Sequence, residues 1–279
     1  MVPIARKRPG DVSLDNARPK RQCRVAQITQ TSHPLHYACQ TLNSALITRI
    51  FWEKSPIDRL HLLFSNADEA DSPLHYLPKD NLEKVNEIKA LLSDYAYADI
   101  VRKFETFEAL LETFPTTDSK FGIHKFHFLL MKGELSDGDV LNLSESNITS
   151  PNGFAQNLLA IGKHFRRFQT SMALYRQLYG DCYALPTQAK AQRLGLTRLH
   201  MDCLGGLVTE VKLQRYAKGA ALSRDHFGNT PLHLLPLFLP DRSDGHLKLN
   251  ECLRLIKRSG LIKNWNIRNY AGFFPLDLF

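Results

Sequence analysis

A chain of 279 residues that is 43% hydrophobic can bury a sizeable core and is too apolar for general disorder. No apolar run approaches the ~20 residues of a membrane helix, and the opening "MVPIARKRPG" has charges with no hydrophobic stretch behind them. A membrane span and a secretory leader are therefore excluded as readings, and the five scattered cysteines, without a CxxC pair, predict reduced thiols of a cytosolic or nuclear setting.

The formal charge of +8 is laid down in blocks. Residues 1–24 carry seven Lys/Arg against two Asp, residues 53–118 carry seven basic against fourteen acidic, and residues 163–198 carry seven basic against one. Residues 1–27 are predicted to be a basic disordered tail. Arg6, Lys7 and Arg8 are followed by eleven residues and then by Lys20, Arg21 and Arg24. This spacing looks like a bipartite nuclear localisation signal, whose two basic clusters importin-α reads across a flexible spacer. A basic arm touching RNA or acidic surfaces nonspecifically is the competing reading.

Beyond the tail a short motif recurs. "SHPLHYAC" places His36, "DSPLHYL" places His75, and "FGIHKFHFLL" keeps Gly122 and His127 without Thr-Pro. "LGLTRLHMDC" carries Gly195, Thr197 and His200, "DHFGNTPLHLL" carries Gly228, Pro231 and His233, and "NYAGFFPLDLF" ends with Asp277 in the histidine slot. The anchors at 36, 75, 127, 200, 233 and 277 lie 39, 52, 73, 33 and 44 residues apart. The interval of 52 is expected to hold a helical insertion in "LSDYAYADIVRKFETFEALLETF". The interval of 73 is expected to hide a degenerate unit in "PNGFAQNLLAIGKHFRRFQTSMALYRQLYG", with Gly153 in its turn.

These residues resemble the ankyrin repeat, whose consensus runs roughly G-x-T-P-L-H-x-A into a second helix and a glycine stop. The implied fold is all-α: an ankyrin-repeat solenoid with irregular helical insertions, preceded by the tail. The implied units fall near 28–65, 66–117, 118–151, 152–192, 193–224, 225–267 and a partial 268–279. In such an array each two-helix unit buries its apolar face against its neighbours. Gly228 suits a tight turn needing positive φ, Pro231 suits a first helical position, and Gly219 and Gly260 suit helix ends. By the same resemblance the histidines are structural, bonding within and between neighbouring turns.

His36 and Cys39, like His200 and Cys203, are spaced i, i+3 and share a helix face. A thiol dyad or zinc pair could be built that way, but a small buried hydrophobe fits better, since no third orienting group is visible. No Walker loop, Rossmann fingerprint, HExxH or GxSxG occurs. The reading is a non-enzymatic chain without cofactor or metal.

Binding is expected on the finger-bearing concave face. Phe121, His226, Phe227 and Tyr270 are the finger candidates, and each phenylalanine either projects or tucks against the next finger. The basic middle adds Lys163, Arg166, Arg167 and Arg193, facing either solvent or an acidic protein surface, with RNA as the lesser partner. The apolar ending "FFPLDLF" lacks a polar cap. It is expected either to continue into further chain or to be covered by a partner.

The expected function is therefore a nuclear interaction protein with an unidentified protein partner. Irregular repeats plus an import signal also resemble the ankyrin effectors that intracellular bacteria inject into host cells. A nucleic-acid-associated regulator using residues 163–198 is the alternative, and a cysteine enzyme the remotest one.

Overall fold

The computed structural model describes residues 29, 33–64, 72–115, 117, 121–180, 184–215, 222–238 and 265–278, with isolated positions 250, 254, 257 and 258. Among the described residues the secondary structure is helical, with no strand. The basic tail, Gly219 and Gly260 lie outside them.

Helices α1 (Pro34–Gln40), α2 (Ser44–Trp52) and α3 (Pro56–Phe64) open the fold; α1 packs on α2, α3 packs on the long α4 (Leu82–Lys103), and Phe51 of α2 meets Tyr95 of α4 edge-on at 4.8 Å. Asn43 caps α2 and Asn81 caps α4 by accepting main-chain N–H groups three residues on, which removes one orphan donor from each first turn. Arg59 braces this region. Its guanidinium donates twice to Asp99 at 2.7 Å and also reaches the carbonyls of Phe51 and Lys54. The expected insertion is helical: its residues form the later part of α4 and then α5 (Phe107–Thr113).

The motif at Pro73–Tyr76 departs from its expected form. It is a single 3-10 turn with His75 exposed, so this histidine is not a buried strut. Pro78 explains the stop, because it cannot donate to a continuing helix and holds Leu77 extended (ψ 125°).

Short helices α6 (Lys125–Lys132), α7 (Asp137–Leu141) and α8 (Glu145–Thr149) lead to α9 (Leu158–His164) and α10 (Phe168–Tyr179). Then come α11 (Gln188–Leu194), α12 (Arg198–Leu204), α13 (Glu210–Arg215) and α14 (Pro231–Leu234), with 3-10 turns at Leu235–Phe238 and Pro275–Leu278. Gly133 and Gly195 end α6 and α11 in the left-handed conformation.

Part of the apolar ending is covered by the chain itself, while Leu276 is 54% exposed. Phe273 is fully buried, meeting Tyr175 edge-on at 5.8 Å and Phe168 at 6.4 Å, while Leu278 is 3% exposed. Asp277 pairs with Lys163 of α9, and that ammonium also stands 5.2 Å from the Phe168 and Phe273 rings. The chain's own α9 and α10 thus cap the last turn. Contacts across this sequence distance exceed those of an array in which each unit touches only its neighbours.

Candidate binding surface

Three tight turns share one geometry. At Asn152, Asp225 and Asn269, the residue's own N–H donates to the carbonyl four residues on, Gln156 (2.9 Å), Asn229 (3.0 Å) and Phe273 (2.9 Å). Each Asx side-chain oxygen also accepts N–H groups from inside its turn. These are self-bonding Asx turns, hereafter fingers. Three residues after each Asx the backbone is left-handed, at Ala155 (φ 62°), Gly228 (75°) and Gly272 (86°). The segment expected to hide a degenerate unit therefore has Ala155, not Gly153, at the position of Gly228 and Gly272. Gly153 serves differently: Phe121 presses so close that a Cβ there would sit 3.2 Å from its carbonyl oxygen.

Fingers are tied sideways by main-chain bonds. Gly153 donates to Phe121 (2.6 Å), His226 to Leu194 (3.0 Å) and Tyr270 to Phe227 (3.0 Å). Histidines lock the following helices. His200 Nδ1 accepts from the Thr197 N–H at 3.1 Å, so its Nε2 carries the proton and donates to the Asn229 carbonyl at 3.0 Å. His233 repeats this with Thr230 and Phe273. Burial pushes the His200 pKa down and that of His233 down to about 4. His127 keeps the inner bond, from the His124 N–H, but its buried Nε2 meets no partner among the described residues; burial and the adjacent His124 ring hold its pKa at about 3. His36 is buried with its ring edge-on to Tyr76.

Tyrosines from neighbouring helices support the fingers from beneath. Tyr97 on α4 accepts from Asn152 Nδ2 at 2.6 Å. On α10, the Tyr179 hydroxyl donates to buried Asp225 at 2.5 Å, and Asn229 Nδ2 donates to Tyr179 at 2.7 Å. Asn269 Nδ2 donates to the Tyr175 hydroxyl (2.5 Å) and to Asn229 Oδ1 (2.6 Å). The network is sealed and satisfied, which makes it a rigid footing for the fingers.

The exposed product is an edge of three side chains. Arg193 is exposed and holds Glu145 with two bonds, at 3.2 and 2.8 Å. Exposed His226 bonds the Arg193 carbonyl through Nδ1 at 2.8 Å and covers Gly195. Tyr270, 72% exposed, covers Gly228 in the same way, and Arg224 lies 5.8 Å from its ring centre. Phe227 is half-buried, edge-on to Tyr179 at 6.4 Å.

No family model, curated protein or solved structure matches this chain.

Several expected binding residues stand elsewhere. Phe121 is 2% exposed, packed between Phe64 (4.7 Å) and Phe154 (6.3 Å), so it is core and not edge. Lys163 is committed to Asp277 and two rings, and is not a free cation. Arg167 is half-buried over Gly133, with Nη2 donating to the Met131 carbonyl at 3.2 Å. Arg166 alone of this trio points to solvent, from a left-handed residue (φ 55°) between α9 and α10. Arg6, Lys7, Arg8, Lys20, Arg21 and Arg24 lie outside the described residues.

Sequence reasoning missed Arg224 and Arg268, both exposed beside the edge, the latter 4.6 Å from the Phe274 ring centre. A signal was present: each immediately precedes a finger Asx residue. Cys39 and Cys203 are buried, and burial pushes the Cys39 thiol up to about 12, which leaves no thiolate at neutral pH. Among the described residues no cluster of three or more His, Cys, Asp or Glu is arranged to hold a metal ion, and no helix is long and apolar enough to cross a membrane.

Proposed function

We propose that this chain is an ankyrin-type repeat protein that binds a partner protein, without catalysis, along the edge formed by Arg193, His226 and Tyr270. The supporting observation is the pair of histidine struts, His200 to Asn229 and His233 to Phe273, each joining one turn to the next finger. A fold whose buried polar groups hold finger tips in place is suited to recognition. Exposed Tyr and Arg side chains are the types that dominate interface energetics. In this reading the basic tail carries the chain into the nucleus by engaging importin-α, and the partner is a nuclear protein.

A full-length tagged chain used as bait in nuclear extract tests the edge. The variant His226→Ala/Tyr270→Ala should retain its helical signal and lose the proteins captured by the wild type. An unchanged captured set would refute the edge. Replacing Lys20 and Arg21 with alanine should leave the chain cytoplasmic.

A second reading draws on the arginines beside Tyr270: cations around an exposed ring also suit a nucleic-acid backbone and base. Affinity for a single-stranded RNA falling steeply with salt, and exceeding that for any captured protein, would favour it.

A further inference from the structure

A cleft of about 130 Å³ opens where the finger at Asn152 faces those at Asp225 and Asn269. Pro151, Ala155, Leu159, Ala160, Phe227 and Tyr270 supply its walls, with Ala271 at the rim and Tyr175 at the base. It lies where the later fingers return onto α9 and α10.

We propose that this cleft receives one large apolar side chain of an acidic segment in the partner protein. The proposal rests on the protein-binding reading above and names the chemistry that reading leaves open. The polar groups around the cleft are already engaged. Thr149 Oγ1 donates to the Glu145 carbonyl at 2.9 Å, Asn157 Oδ1 accepts from the Ala160 N–H at 3.0 Å, and the Tyr175 hydroxyl belongs to the buried network. An entering group meets hydrocarbon and ring faces over the larger part of the lining, where a polar one loses its water without replacement. A cavity of about 150 Å³ takes one benzene-sized group, which sets the scale as a single Phe, Leu or Met side chain.

Charge at the rim names the rest of the segment. Tyr270 forms one wall, and Arg224 lies over its ring while donating to the carbonyls of Gly228 (3.0 Å) and Arg268 (2.9 Å). Among the described residues neither Arg224 nor Arg268 has a carboxylate partner. Two nearby acids among the described residues are taken: Asp225 is buried in its finger and Asp277 is held by Lys163. Two guanidinium groups with no carboxylate partner among the described residues complement carboxylates flanking the anchor.

The test selects binders to the full chain from a random dodecapeptide library and measures their affinities by fluorescence anisotropy. Selected peptides should share Phe, Leu or Met close to Asp or Glu. Ala160→Phe and Ala271→Phe, which fill the slot, should each weaken them at least tenfold. Arg224→Glu/Arg268→Glu should weaken them and erase the acidic preference. Ala271 is half-exposed, so its variant carries the test should Ala160→Phe lose its fold. A selection without saturable binders, or binders indifferent to both filling variants, overturns the proposal. Binders indifferent to filling but lost in His226→Ala leave edge binding standing and remove only the cleft. Binders indifferent to all of these remove both.

Discussion

His233 Nε2 stands 3.0 Å from the carbonyl oxygen of Phe273, forty residues further along the chain. The same ring takes the Thr230 N–H on its other nitrogen, so one side chain satisfies buried main-chain groups of two turns. His233→Ala leaves both unpaired and opens a cavity. A loss of about 2–4 kcal/mol is expected in urea unfolding. His75→Ala, at an exposed single turn, should change stability by less than about 0.5 kcal/mol.

Acid should unfold this protein through the same rings. In the unfolded chain a histidine titrates near ~6.5; folded, His233 is pushed down to about 4 and His127 to about 3. Between those values the unfolded state binds more protons. The stability contributed by each neutral ring is therefore complete above about pH 6.5 and is lost as pH falls towards the folded value, at ~1.4 kcal/mol per pH unit for each ring. Urea midpoints across pH 7 to 4.5 should fall for the wild type and fall less steeply for His233→Gln.

Tyr179→Phe removes one hydroxyl and strips buried Asp225 of its 2.5 Å donor. Asp225 keeps the bonds from the Phe227 and Asn229 N–H groups and from Asn229 Nδ2, so the loss is that of one buried hydrogen bond to a carboxyl group, about 1.5–3 kcal/mol by chemical denaturation. Tyr175→Phe, whose hydroxyl meets only amides, should cost less.

Ala155→Gly should run against the usual trend. Alanine at φ 62° is held in a left-handed conformation that glycine adopts freely. A gain of about 0.5–1 kcal/mol in thermal or urea unfolding is expected, where alanine-to-glycine changes in helices normally destabilise.

What could be read from the sequence was whatever a single residue type announces. Gly122, Gly195 and Gly228 occupy left-handed positions, and Thr230-Pro231-Leu232-His233 begins a helix as its pattern implies. The finger at 152 was visible only in part, because Ala155 fills the glycine slot and Ala160 the histidine slot. Asn152 and Asn157 were the surviving marks, one as the Asx turn and one as the helix cap. Phe121 precedes its glycine just as Phe227 does, yet Phe64 covers it, and no local pattern encodes a contact made from so far back in the chain. The tyrosine footing was hidden for the same reason. Tyr175 and Tyr179 read as one face of an amphipathic helix, and what they touch is set by the return of the later fingers.

Lys163 and Arg166 look equivalent in sequence and are not equivalent in the fold. Lys163→Ala should cost about 1–2 kcal/mol, since it removes a half-buried ion pair and two ring contacts. Arg166→Ala, at an exposed position, should change stability by less than about 0.5 kcal/mol. Urea unfolding of the two variants side by side makes the comparison.

The seat of Asp277 on Lys163 closes the later fingers onto the middle of the same chain. Linear arrays gain or shed units in evolution because each new member needs only a neighbour to lean on. Here an extra unit inserted between Leu204 and Asp225 would carry Phe273 off α10 and break the closure. Lengthening of that stretch is therefore expected to be tolerated less well here than in a linear array.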